Sequence, residues 1–206
     1  MSMVDFSGLS IVTAPHPALD TPSEPVAVFD ASLRLLAVRM TELMHRGPDG
    51  LRGIGLAANQ LNVMRRVIVV DVPGKKSVRD LRPMSVTRGP LVVVNPVVTL
   101  PPVPPAALST ATEADWSHPG VALEVPRSSL ANVSGLDVNG RRVEFFTQGL
   151  LARVVQHLVD LLDGVSMEAR VAMEAAKVKA ASARAAEPVA DAEAVAVGAE
   201  EGVHGG

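Results

Sequence analysis

Between Gln148 and Asp163, apolar side chains recur at Leu151, Val154, Val155, Leu158, Leu161 and Leu162, with Val165 just beyond. The i, i+3, i+4 spacing is that of one broad helical face, so this segment reads as an amphipathic helix with its stripe in a core. Immediately before it, Leu130 to Val138 and Val143 to Phe146 read as two strands joined by Asn139-Gly140, a dipeptide suited to a tight hairpin turn.

The upstream sequence supplies more of that architecture. Ile11 to Val28 carries Pro15, Pro17, Pro22 and Pro25 and reads as extended or looping chain. Asp30 is placed to N-cap a helix whose apolar positions Leu33, Leu36, Met40, Leu43 and Met44 keep helical spacing up to Gly47-Pro48. Arg66 to Asp71 is a β-branched run expected to be a buried strand. Leu91 to Val98 reads as a second one, interrupted at Asn95-Pro96, and Val121 to Val125 as a third. Pro101 to Pro105 marks a loop or sheet edge, because proline cannot join a central ladder. The order of helix, strands, helix gives an α+β fold.

The chain has 206 residues, 48% of them hydrophobic, enough for one domain with a substantial core. A division is expected between residues 1–166 and an Ala/Glu-rich extension, residues 167–206, that starts helical and ends without structure past Pro188. Basic and acidic side chains alternate in that extension, so a solvated tail is favoured over a nucleic-acid-binding helix. A net charge of -3 likewise argues against specific nucleic-acid binding. With 0 cysteines there is neither a disulfide framework nor a thiolate ligand. Residues 1–9 lack the basic, long apolar pattern of a signal peptide, and no run approaches the roughly 18 apolar residues of a membrane span, so a cytoplasmic, non-membrane protein is expected.

Three segments carry chemistry. GIGLAANQ, Gly53 to Gln60, contains Gly-x-Gly-x-x-Ala, but no strand precedes it and no helix follows, so the dinucleotide reading is rejected. The second is Glu113-Ala114-Asp115-Trp116-Ser117-His118. The third, Gln156-His157-Leu158-Val159-Asp160-Leu161, has the frame of H-E-x-x-H, in which two histidines hold a metal and the glutamate serves as base. Leu158 stands where that glutamate would be, and Leu161 where the second histidine would be.

In order and content these segments resemble the peptide deformylase family, whose motifs are G-x-G-L-A-A-x-Q, E-G-C-L-S and Q-H-E-x-D-H. The first is intact at Gly53, Gly55, Leu56, Ala57, Ala58 and Gln60. The likeness runs from Pro15-His16-Pro17 and Glu24-Pro25-Val26 through Asn95-Pro96, Val125-Pro126-Arg127 and Gly149-Leu150-Leu151-Ala152. It implies a fold of antiparallel or mixed sheets packed around the helix that carries His157, and metal-dependent removal of the formyl group from nascent N-terminal methionine. It also implies that the metal-ligand positions are Asp115, His157 and Leu161, that the general-base position is Leu158, and that Gly55, Gln60 and the Trp116 N–H lie on the substrate and oxyanion side.

The departures fall on the metal site. A metal lowers the pKa of its bound water and polarises the carbonyl, and a base moves the proton. Leucine does neither. In a site without metal, a buried, partly unsatisfied Glu or His costs about 1–3 kcal/mol. A leucine there removes that cost and adds roughly 1.5–3 kcal/mol of burial. The expectation is therefore a deformylase-like protein with impaired catalysis, no cofactor, and a peptide N-terminus as its partner. The rival is an active deformylase holding one iron(II) or zinc through Asp115, His157 and a further ligand. A third reading is a non-catalytic interaction module acting through its tail.

Individual residues carry their own alternatives. His157 is favoured as a hydrogen-bonded core histidine over a ligand, and Asp115 as a turn cap over a ligand. Gln60 is either an oxyanion donor or a structural amide. Trp116 is expected to fill the old pocket, and Glu113 is paired with Arg127. His118, three residues from Asp115, is the nearby residue that could replace the missing ligand, and it is disfavoured because an extended chain would point it to the opposite face.

Overall fold

In the computed structural model, residues 6, 8–74, 87–102 and 108–186 are described. Among the described residues the α-helices are α1 (Pro17–Asp20), α2 (Ala31–Arg46), α3 (Gly149–Leu162) and α4 (Met167–Ala186). The strands among them are β1 (Gly55–Ala57), β2 (Val67–Val70), β3 (Leu91–Thr99), β4 (Ser109–Glu113), β5 (Leu123–Arg127), β6 (Leu130–Leu136) and β7 (Arg142–Gln148). The larger sheet has the order β1-β2-β3-β6-β7, and β4 pairs with β5 in a second sheet; every pairing is antiparallel.

The β2 run is buried at all four positions because helices cover both faces of the sheet. Strand alternation sends Ile68 and Val70 into the cluster with Leu151, Val155, Leu158 and Leu162 of α3. Val67 and Val69 enter the opposite cluster with Leu33, Leu36, Met40 and Met44 of α2. The apolar stripe of α3 is thus a core face, as its spacing predicts, and the fold is α+β. Asp30 caps α2 by accepting the Leu33 N–H at 3.0 Å.

Several local expectations change. Asn95-Pro96 does not end β3: the ladder to β6 shifts register between Val94 and Val97, and Asn95 takes φ 51°. The Asn95 amide accepts from Val26 N–H at 2.8 Å and donates to Val26 O at 2.9 Å, so the N-terminal segment absorbs the irregularity. Proline-rich residues 11–28 contain one helical turn, α1, because Pro17 stands at its first position, where a missing N–H costs nothing. GIGLAANQ forms β1 and then a 3-10 turn, Ala58–Leu61. The strand β4 has polar alternation and was not expected.

Met167 is 1% exposed, and Arg170 Nε donates to Asp160 Oδ2 at 2.9 Å, fixing the first turn of α4 to α3. From Ala175 to Ala183 every side chain is exposed. The expected unstructured stretch past Pro188, and Pro104 and Pro105 of the proline run, lie outside the described residues. Among the described residues no helix is long and apolar enough to cross a membrane.

Candidate functional site

The three motif segments meet at one end of α3. Asn59 Nδ2 donates to Leu161 O at 2.6 Å and to Ala18 O at 3.1 Å, tying the 3-10 turn to the helix. Gln60 Oε1 accepts from Ala57 N–H at 3.0 Å, and its Nε2 donates to Ser117 Oγ at 3.2 Å. Chain entering α1 braces the same corner, with Val12 N–H on Gln60 O and Ala14 N–H on Ser117 O, each at 2.8 Å. Gln60 therefore anchors its loop, while lining a cavity of ≈ 340 Å³ together with Glu113, Asp115, Trp116, His157 and Leu158.

Two glycines of the first motif are required by close approach. A Cβ at Gly53 would lie 2.4 Å from the Trp116 ring, and one at Gly55 would lie 2.9 Å from Leu158 Cδ1. Trp116 is thus laid against the Gly53 backbone. It forms a wall of the cavity, which stays open beside it, in place of the filling expected from sequence.

Glu113 is the hub of a buried charge network. Arg127 grips it with two bonds, Nε to Oε1 at 2.7 Å and Nη2 to Oε2 at 2.9 Å, and extends Nη1 to Asp160 Oδ2 at 2.6 Å. Arg153 Nη1 reaches Glu113 Oε1 at 2.7 Å, and His157 Nδ1 lies 3.3 Å from Glu113 Oε2. Burial is the largest influence on the Glu113 carboxyl and raises its pKa. Hydrogen bonds from His157 and Arg127, with their charges, more than offset this and bring it from 4.5 to about 2. The expected Glu113–Arg127 pair is present; Arg153 was not foreseen, although it lies one helical turn from His157 on the same face.

Asp115 sits at a turn and not in extended chain. Its Oδ1 accepts from Ser117 N–H at 2.7 Å and His118 N–H at 3.1 Å. That turn brings the His118 ring back, with Nδ1 3.1 Å from Oδ1 and 3.0 Å from Oδ2. The expectation that His118 faces away from Asp115 is therefore overturned, because the carboxylate itself folds the chain around two backbone donors. His157 Nε2 lies 3.8 Å from Asp115 Oδ2.

A divalent metal is implied by the likeness to deformylases, and the residues present do not fit it. Leu158 and Leu161 are 2% and 1% exposed, are packed in the α3 core, and offer no donor atom. Asp115 and His157 are already engaged by His118 and Glu113. Among the described residues no three His, Asp or Glu side chains form a group able to hold a metal ion.

An antiparallel sheet thus lies between two helices, and the motif-bearing helix floors a cleft beside a glycine-containing strand. The polypeptide deformylase family model matches residues 9–177, and the chain belongs to the peptide deformylase family. Peptide deformylase of Rhodopirellula baltica is 34% identical over 166 residues, covering 81% of this chain and 74% of that protein. Among solved structures, peptide deformylase from Ehrlichia chaffeensis aligns with TM-score 0.70 at 31% identity, covering 86% of this chain and 98% of that one. A Met-Ala-Ser-bound peptide deformylase from Acinetobacter baumannii aligns with TM-score 0.66 at 27% identity, covering 79% of this chain and 98% of that one.

Proposed function

We infer that this chain is a deformylase-fold protein that takes a peptide N-terminus into its cavity without hydrolysing it. The observation that carries this reading is the burial of Leu158 and Leu161 within the core of α3, at the family's base and ligand positions. Formamide hydrolysis needs an activated water and a group that relays its proton. Neither leucine supplies them, and Gln60 alone can only polarise a carbonyl. The cavity nevertheless keeps apolar walls at Ile54, Leu150, Val154 and Trp116, with Gln60 and Arg153 as polar contacts. Such a lining suits an extended peptide whose first side chain is apolar. The Acinetobacter baumannii relative has been solved with Met-Ala-Ser bound, and this tripeptide is the probe we choose.

Trp116 is the single tryptophan and lines the cavity, so its emission reports occupancy. Titration with Met-Ala-Ser and with its formylated form is expected to give saturable changes, with the formyl peptide recovered intact. Catalytic release of formate would overturn the non-hydrolytic reading, and absence of any saturable change would overturn the binding one.

A second reading, hydrolysis through non-standard ligands, has one observation in its favour: His118 and His157 both approach Asp115, at 3.0 and 3.8 Å. Against it, among the described residues these three do not form a metal-holding group, and the carboxylate beside them, Glu113, is held by Arg127 and Arg153.

A further inference from the structure

We propose that His118 is an internal lock on Asp115, occupying the carboxylate so that the residual donors of this site stay closed to metal. The inference rests on the reading that the native chain holds no metal, and goes beyond it by naming the residue that keeps the site closed. Loss of a ligand at Leu161 would by itself leave Asp115 and His157 as two free donors in a cavity. The structure assigns both oxygens of Asp115 to other partners. Oδ1 receives two backbone N–H groups, and the His118 ring nitrogen lies within hydrogen-bond distance of both oxygens.

The lock is built, because its parts hold one another. Asp115 O accepts the His118 N–H at 3.3 Å and His118 O accepts the Val121 N–H at 3.1 Å, so the ring comes from two successive turns. The Asp115 and His118 side chains are 6% and 11% exposed, which keeps water from competing for the contact. A metal approaching Asp115 must displace the imidazole and leave its N–H without an acceptor, at the cost of a charge-assisted hydrogen bond.

Restoring a histidine at 161 is therefore expected to be insufficient unless His118 is also removed. The probe is Co(II), titrated into the native protein, L161H and L161H/H118A, with ligand-field absorption as the readout. The double variant is expected to bind Co(II) about tenfold or more tightly than L161H. Equal or tighter binding by L161H alone would overturn the lock. Stoichiometric Co(II) binding by the native protein would instead overturn the metal-free reading, and the ratio between the two variants would still report on His118.

A second measurement needs no variant and stands even where one fails to fold. Long-range ¹H–¹⁵N NMR of the native protein is expected to show the His118 Nδ1 protonated, as a donor to Asp115. An unprotonated Nδ1 would overturn the proposal.

Discussion

Arg127 Nη1 lies 2.6 Å from Asp160 Oδ2, while the Nε and Nη2 of the same guanidinium hold Glu113, so one arginine links α3 to the short β4–β5 sheet. The Arg127 side chain is 2% exposed, and Glu113 and Asp160 are nearly as buried. Replacing it by methionine leaves two buried carboxylates short of a partner, a loss of about 3–5 kcal/mol. Urea denaturation of R127M is expected to show that loss as a lower midpoint with an unchanged slope. A loss below about 1 kcal/mol would mean that Arg153 and Arg170 suffice to hold the carboxylates.

The same network sets a pH dependence. Glu113 is more acidic folded, at about 2, than at its ordinary 4.5, so the unfolded chain binds its proton more readily. Its contribution is fully present above about pH 4.5 and is lost as pH falls toward about 2. The stability gap between the native protein and E113Q is therefore expected to narrow over that window. A gap constant from neutral pH to pH 2.5 would contradict the assignment.

Gly53 and Trp116 form one packing unit. A methyl group at residue 53 would overlap the indole, which must shift, at a cost of about 1–3 kcal/mol. Gly53→Ala is expected to destabilise the protein by that amount and to change Trp116 emission. In a Trp116→Leu background the cost should fall by more than half, a coupling visible in a double-mutant cycle. Strict additivity would place the strain elsewhere.

What sequence could and could not disclose follows from the range of each interaction. The α3 stripe and the β2 run were legible because burial on a helical face or on both sheet faces writes itself into local spacing. The course of β3 through Asn95-Pro96 was not, since the side-chain bonds that support the bulge come from Val26, 69 positions away. The His118 position failed on a wrong local assumption. The turn favoured at Asp115 also fixes the His118 direction, because an aspartate followed by free N–H groups folds the chain back, and extended geometry does not apply across residues 115–118. A Pro119-Gly120 sequence directly after it was the available signal. The site's motif residues are legible in the sequence, whereas Arg153 is signalled only by its place one helical turn from His157, and the Arg170 contact depends on tertiary placement.

The most direct test of the central claim is metal analysis of chelator-free native protein, combined with formate release from formyl-Met-Ala-Ser by the same sample. The account predicts well below one equivalent of iron, nickel or zinc, and no formate above the protein-free rate. Stoichiometric metal with catalytic formate release would contradict it.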